Sequence, residues 1–214
     1  MSFIIDSNSP YFTEFSPQKY KDAVYMTADD DFFGTLLAIV YKTDVSSPKL
    51  SVILIGFMGT GKSTVAKALS AAYIDLDRVI ERQIQRSIAS YFEEFGEAQF
   101  RVLEGEVLAE QLKKNLPIAT GGGIVERIEN RKLLKQHMQV VYLKADFSVL
   151  FDRILNDATH VRPLAKNGEA VLKARYLARE KYYETLANLV INVNQKTPEE
   201  IARHIREWQK EREI

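Results

Sequence analysis

The sequence feature that most constrains this chain is the stretch GFMGTGKS at residues 56–63, a complete G-x-x-x-x-G-K-[ST] motif. An apolar run at residues 50–55 precedes it and is typical of a buried strand, and the helix-forming sequence STVAKALSAA follows. In that setting backbone N–H groups and the helix dipole form an anion site, with Lys62 placed for the terminal phosphates and Ser63 for Mg²⁺. The motif therefore predicts a nucleoside triphosphate site.

Composition narrows the class of protein further. The chain has 214 residues, with 29 basic (Lys and Arg) and 29 acidic (Asp and Glu) side chains, so no overall charge attracts nucleic acid or an anionic membrane. The sequence contains no cysteine, which excludes disulfides and cysteine metal sites and fits a reducing cytosol. We expect a cytoplasmic monomer that acts on a small metabolite, with neither nucleic acid nor membrane as a partner.

Residues 1–48 differ from the rest and carry no recognisable motif. The longest apolar run there, residues 32–41, is about half the length that a membrane helix needs. The segment is acidic and the first arginine of the chain is Arg78, which argues against a signal or transit peptide. Residues 46–48 resemble a linker. We therefore expect an N-terminal extension of unknown role, 1–48, followed by one domain, 49–214.

From residue 50 onward, short apolar runs alternate with helical patterns, which favours βαβ units and a parallel sheet covered on both faces. The predicted fold is α/β, with three layers and five strands. The strand candidates are residues 50–55, 72–76, 116–119, 140–143 and 189–193. Beyond the helix after the phosphate loop, the helix candidates are 78–85, 88–95, 97–114, 126–136, 147–155, 170–187 and 198–211.

The last predicted helix has a clear start signal. Thr197 suits the N-cap, Pro198 the first turn, and Glu200 the third position of a capping box. Trp208 continues the helical spacing of Ile201 and Ile205, which favours a place against the core over a ligand platform.

Two acidic residues follow the second predicted strand and are candidates for the chemistry. Ligands of open parallel sheets gather at the carboxyl ends of the strands. If residues 75–77 are extended, Asp75 and Asp77 point the same way, and one could join the Mg²⁺ shell while the other accepts a proton. A solvated helix N-terminus, where aspartate is common, explains the pair equally well.

Glycines and arginines supply the other candidates. Residues 120–123 (TGGG) follow the third predicted strand, and three glycines permit positive φ and close approach of a substrate to backbone. Arg101, Arg162 and Arg179 could neutralise phosphoryl charge or fork onto a substrate carboxylate. Spacing alone does not separate these three from solvated surface arginines.

Six segments, in order, resemble the motif series of the shikimate kinase family. They are GFMGTGKSTVAKAL, IDLDRVIE, SIASYFEEFGEAQFRVLE, ATGGGIV, RPL and AREKYYETLANLVI, and the resemblance covers residues 50–194. It implies a P-loop kinase with a five-stranded parallel sheet, flanking helices and a mobile lid. It also implies transfer of phosphate from ATP, with Mg²⁺, to the 3-hydroxyl of shikimate, a step in aromatic amino-acid biosynthesis.

The resemblance also assigns residues to roles. Asp75 matches a carboxylate on the Mg²⁺ side, and Asp77 matches the candidate base that binds the substrate hydroxyls. Glu104 would orient Arg101. The residues implied to bind the phosphates are Gly59, Thr60, Gly61, Lys62, Ser63 and Thr64, with Ser63 on Mg²⁺. The residues implied to bind shikimate are Asp77, Arg101, Gly121, Gly122, Gly123 and Arg179, of which the two arginines hold its carboxylate.

Two further positions are implied with the lid and the adenine. Arg162, in Arg-Pro-Leu, matches a lid arginine that closes onto the phosphates and assists Lys62 and Asp77 in catalysis. Arg153 is the nearest candidate for an arginine that packs on adenine, although it lies about two residues upstream of the usual place, less than one helical turn. Between Lys62 and Asp75 the chain is shorter than the family by about four residues, one helical turn.

Two other functions compete with this reading. A related P-loop kinase for gluconate or a nucleoside monophosphate would share the phosphate loop, but the arginine pair and the triple glycine suit a compact carboxylated polyol better. A non-catalytic nucleotide-binding relative would explain the shortened helix and the N-terminal extension, yet every residue that the chemistry requires is present.

Overall fold

The computed structural model of this chain describes residues 51–156 and 168–212. The predicted N-terminal extension, its boundary at residue 48, and the lid segment with Arg162 lie outside these ranges.

Within the described residues the chain alternates strands and helices, as predicted. The strands are β1 (Ile53–Ile55), β2 (Ile74–Asp75), β3 (Ile118–Ala119), β4 (Val140–Lys144) and β5 (Leu189–Asn192). The helices are α1 (Lys62–Leu69), α2 (Leu76–Ile84), α3 (Ile88–Gln111), α4 (Ile128–Lys135), α5 (Phe147–Leu155), α6 (Glu169–Leu186) and α7 (Pro198–Glu211), and a short 3₁₀ turn (Leu112–Lys114) follows α3.

The five strands form one parallel sheet in the order β2-β3-β1-β4-β5. In the central strand β1, Ile53 pairs with Ile118 of β3 on one side and with Val140 of β4 on the other. All three residues of β1 are fully buried, although successive side chains of a strand point to opposite faces. Both faces of the sheet are therefore covered, and the predicted α/β fold with five parallel strands is confirmed.

Some predicted boundaries are wrong by a few residues. Helix α2 begins at Leu76, two residues earlier than predicted, because the Asp75 side chain caps it by accepting from the Arg78 N–H at 3.3 Å. The two helices predicted on either side of Gly96 form one element, α3, which is interrupted at Gly96 where φ is 78° and ψ is 168°.

The prediction for the last helix is confirmed. Thr197 and Glu200 form a complete capping box at the start of α7, and Pro198 occupies the first turn. Trp208 is half-buried and packs against the core. None of the helices within the described ranges combines the length and apolar character that a membrane crossing requires.

Candidate active site

Three loops meet at one edge of the sheet and form the candidate site. The phosphate loop follows β1, the acidic residues follow β2, and the glycine turn follows β3. Strand β3 lies between β2 and β1, and the three strands are parallel. Because the carboxyl ends of parallel strands lie at the same edge, the topology places the three predicted motifs side by side.

The phosphate loop has the geometry of an anion site. Gly59 and Gly61 have φ values of 82° and 84°, which L side chains rarely adopt. Gly61 is the N-cap of α1, whose first hydrogen bond runs from the Val65 N–H to the Gly61 carbonyl at 2.9 Å. The N–H groups of residues 62–64 precede this bond and point out of the helix end, where phosphate oxygens bind.

The Lys62 ammonium lies over this loop. It donates to the carbonyl oxygens of Gly56 and Phe57, both at 2.8 Å, and to Oγ1 of Thr60 at 3.4 Å. The side chain is buried and its position is fixed by several partners. These contacts hold the ammonium beside the loop, and its role toward bound phosphates stays a prediction of the motif.

The acidic pair lies where predicted, but its backbone is not extended. Asp75 ends β2, whereas Asp77 belongs to the first turn of α2. The expectation of two parallel carboxylates on an extended segment is therefore wrong, because the Asp75 cap starts the helix at Leu76. The alternative of a solvated helix end is also wrong for Asp77, since its side chain turns into the protein.

The surroundings of Asp77 favour a base that titrates above the usual range. Burial raises the pKa of the Asp77 carboxyl most, and the negative charge of Asp75 adds to the effect. Lys62 and Arg101 oppose it, and a smaller contribution from Glu81 raises the pKa again. The net shift of the pKa is upward, toward values suited to a general base.

The glycine turn allows side chains to approach its backbone closely. Of the two features that the three glycines permit, positive φ is not used, since none of Gly121, Gly122 and Gly123 has it. A Cβ on Gly121 would lie 2.7 Å from Oδ1 of Asp77, and a Cβ on Gly123 would overlap the Arg101 guanidinium. The absence of side chains is what makes room for the acidic and basic groups of the site.

Arg101 and Arg179 are brought together, although they lie on different helices, α3 and α6. They are joined by the carboxylate of Glu126, which accepts from Nε of Arg101 at 3.0 Å and from Nε of Arg179 at 2.8 Å. The side chains are 11% exposed for Arg101 and 3% for Arg179. The two guanidinium groups therefore form a compact, partly buried cationic pair that suits a carboxylate.

Glu104 holds the Arg101 guanidinium in place. Its Oε2 accepts from Nη1 of Arg101 at 2.9 Å, in agreement with the predicted orienting role. The residue is fully buried, and burial raises its pKa to about 7 against the opposing charge of Arg101. A carboxyl at this position can hold or release a proton near neutral pH.

Two residues of the site were not predicted. Glu126 follows the glycine turn at the carboxyl end of β3, a position from which side chains enter the crevice, and that position was the available signal. Tyr183 donates its hydroxyl to the Gly122 carbonyl and stacks on Tyr142 with ring centroids 5.0 Å apart. It lies one helical turn after Arg179, on the same face of α6, which is the signal that could have found it.

Two other arginines, Arg153 and Arg162, were predicted to lie in the site. Arg153 on α5 donates from Nη1 to the Gly59 carbonyl at 3.3 Å, so it lies beside the phosphate loop. Its role toward adenine stays a prediction. The role of Arg162 also stays a prediction, because the residue lies outside the described ranges.

Comparison with known proteins decides the family. A family model described as "Shikimate kinase" matches residues 58–210, more than half of the chain. The chain belongs to the shikimate kinase family. A shikimate kinase of Lactococcus lactis subsp. cremoris is 49% identical over 161 residues, which are 75% of this chain and 99% of the relative. A shikimate kinase of Enterococcus faecalis is 40% identical over 166 residues, 75% of this chain and 99% of the relative.

Solved structures of the family have the same fold. Shikimate kinase from Acinetobacter baumannii in complex with shikimate has a TM-score of 0.72 and 31% identity, and covers 83% of this chain and 99% of that chain. Shikimate kinase from Aquifex aeolicus has a TM-score of 0.61 and 32% identity, and the match covers 75% of this chain and 96% of that chain. In this chain helix α1 ends at Leu69, and the short connection that follows still places β2 beside β3 in the parallel sheet.

Proposed function

We propose that this chain transfers the terminal phosphoryl group of ATP to the 3-hydroxyl of shikimate. The observation that carries the proposal is the cationic pair of Arg101 and Arg179, which lies beside Asp77 and the phosphate loop. A small acceptor with a carboxylate at one end and hydroxyls at the other matches that arrangement of charges. Membership of the shikimate kinase family supports the same acceptor.

The acceptor is held at both ends. Arg101 and Arg179 bind its carboxylate through charged hydrogen bonds, and Asp77 binds the hydroxyls at the opposite end. Because Gly121 and Gly123 have no side chain, Asp77 and Arg101 can lie against their backbone and present their charged groups to the acceptor. This orientation turns the reactive hydroxyl toward the phosphate loop and away from water.

Mg²⁺ fits the residues available beside the loop. The Ser63 hydroxyl is exposed at the first turn of α1, and Asp75 presents a carboxylate at the end of β2. Only one oxygen of Asp75 is used in capping α2. Hydroxyl and carboxylate oxygens suit this hard cation, which takes its other ligands from water and phosphate and, when bound, neutralises phosphate charge.

The transfer itself depends on positioning and charge. Asp77 accepts the proton of the 3-hydroxyl as the hydroxyl oxygen forms its bond to the terminal phosphorus. The bond from that phosphorus to the bridging oxygen breaks, and the electron pair leaves with ADP. Lys62 stabilises the charge that develops on the phosphoryl oxygens, a role in which the family resemblance predicts that Arg162 assists.

An assay of ADP release with ATP and Mg²⁺ tests this proposal when shikimate, gluconate and a nucleoside monophosphate are compared as acceptors. We expect turnover with shikimate alone. Lys62→Ala should lower the turnover by about 10²- to 10³-fold, whereas Lys67→Ala, an exposed lysine on the same helix, should leave it unchanged. Preferred turnover of gluconate or the nucleotide, or ATP binding without turnover of any acceptor, would refute the proposal.

A further inference from the structure

Glu126 lies in the space between the two arginines. Its Oε1 accepts from Nε and Nη2 of Arg179 at 2.8 and 2.6 Å, and its Oε2 accepts from Nε of Arg101 at 3.0 Å. One carboxylate thus bridges two guanidinium groups, as a bound substrate carboxylate would. Burial disfavours the charge of Glu126, but Arg179 and then Arg101 outweigh it and lower the pKa of this carboxyl.

Carboxyl groups already surround the arginines. Each nitrogen of Arg101 has a carboxylate partner: Nη1 contacts Glu104 at 2.9 Å, Nη2 contacts Glu97 at 2.8 Å, and Nε contacts Glu126. Together with Arg179 and Arg175, which lies 3.7 Å from Glu97, three arginines face three glutamates. A substrate carboxylate placed beside Glu126 would be repelled by it, because both would occupy the space between the same two guanidinium groups.

Of the three glutamates, Glu126 is the one that can leave. Glu104 has a fully buried side chain, and Glu97 does not bridge Arg101 and Arg179. The Glu126 side chain is 31% exposed, so it can return to water at little cost. Its backbone is anchored, because its N–H donates to the Gly123 carbonyl at 2.9 Å and its carbonyl accepts from Arg131. Rotation of the side chain alone is sufficient to open the pair.

We propose that Glu126 is an internal competitor for the carboxylate of the acceptor. This inference rests on the proposed function of the site. Glu126 bridges Arg101 and Arg179 until the substrate carboxylate takes its place, and it then turns toward solvent. An acceptor without a carboxylate offers no replacement charge and leaves Glu126 in place, so this residue sets both the affinity and the selectivity of the acceptor site.

Two variants of Glu126 and one control test the inference. Glu126→Gln keeps the shape of the side chain and removes its charge, and Glu126→Ala removes the side chain beyond Cβ. Glu129→Gln is the control, because that glutamate is 51% exposed nearby and pairs with Arg127 instead. The measurements are KM and kcat for shikimate, the inhibition constant of benzoate as a minimal carboxylate, and thermal unfolding to confirm that each variant folds.

The KM for shikimate and the inhibition constant of benzoate should each fall by about tenfold in the Glu126 variants. This is the effect of one charged hydrogen bond that is partly offset by solvent. The value of kcat should change little, and Glu129→Gln should match the wild type. If Glu126→Gln folds and its KM for shikimate is unchanged or raised, the inference is overturned but the proposed function is not. Glu126 would then only support the arginines. A wild type that neither binds nor phosphorylates shikimate overturns the proposed function, and the inference with it.

Discussion

Asp77 and Glu104 approach the same point above Gly121. Oδ1 of Asp77 and Oε1 of Glu104 lie 2.7 and 2.8 Å from the position that a Cβ on this glycine would take. Burial raises the pKa of Glu104 most, and the negative charge of Asp77 adds to that effect. The Glu104 carboxyl therefore has a higher pKa in the folded chain than in the unfolded one.

The first prediction concerns stability and pH. The pKa of Glu104 rises from 4.5 to about 7 on folding, so the unfolded chain releases this proton first as the pH increases. Between those values the folded state holds more protons, and the free energy of unfolding falls by about 3 kcal/mol as the pH rises through this window. Glu104→Gln has no such group. The difference in unfolding free energy between wild type and variant, measured by urea denaturation, should change in this window.

The matched control is Glu106→Gln on the same helix, because Glu106 is exposed. Its stability should run parallel to that of the wild type from pH 4.5 to pH 7. Parallel curves for Glu104→Gln as well would show that Glu104 ionises normally and would contradict the first prediction.

The second prediction concerns the pH dependence of turnover. Asp77 must be ionised to accept the proton, and its pKa lies above the usual 3.8 because of burial and Asp75. The rate should therefore fall on acidification, with a midpoint above that value. Asp77→Asn should lose about 10²- to 10⁴-fold in kcat and should lose this acidic limb. A variant that keeps the limb would mean that another group is the base.

The third prediction separates acceptor binding from phosphoryl transfer. Arg179→Ala should raise the KM for shikimate by about 10- to 100-fold, since a charged hydrogen bond to the acceptor is lost, and should leave ATP affinity nearly intact. Lys173→Ala, which changes an exposed residue of the same helix, is the control. Lys62→Ala should instead lower kcat by about 10²- to 10³-fold. Equal loss of ATP and shikimate binding in Arg179→Ala would argue against its contact with the carboxylate.

The fourth prediction concerns Tyr183, which holds the glycine turn through the Gly122 carbonyl. Tyr183→Phe should cost about 1 kcal/mol in unfolding free energy, because a buried hydrogen bond is lost. It should also raise the KM for shikimate severalfold. Tyr182→Phe is the control, since the Tyr182 ring packs over Arg131 at 4.3 Å and the variant retains that ring. If the two variants had the same unfolding free energy and the same KM for shikimate, Tyr183 would have no role in the site.

The fold and the place of the phosphate loop could be predicted because their signals are local, whereas the roles of the arginines were predicted from the family resemblance. The motif at residues 56–63 fixes a strand, a loop and a helix, and the order of apolar runs fixes a parallel sheet. The backbone of Asp75 and Asp77 could not be predicted, because capping and extension compete there and the same residues suit both. The bridging role of Glu126 also could not be predicted, because it depends on two arginines of other helices that only the fold brings near this residue.

The glycine turn shows a second limit of sequence reasoning. Three successive glycines indicate unusual backbone, but they do not reveal whether positive φ or close packing requires them. In the structure Gly121 faces Asp77 and Glu104, and Gly123 faces Arg101, so the requirement is steric. Only contacts between distant parts of the chain decide between the two reasons.

The central claim is that Arg101 and Arg179 receive the carboxylate of the acceptor. The most direct test compares kcat/KM for shikimate with kcat/KM for its carboxamide, in which a neutral amide replaces the carboxylate. We predict a loss of about 100-fold or more for the wild type, and a smaller loss in Arg179→Ala, where Arg101 alone contacts the carboxylate. A wild type that phosphorylates shikimate and its carboxamide equally well would contradict the account.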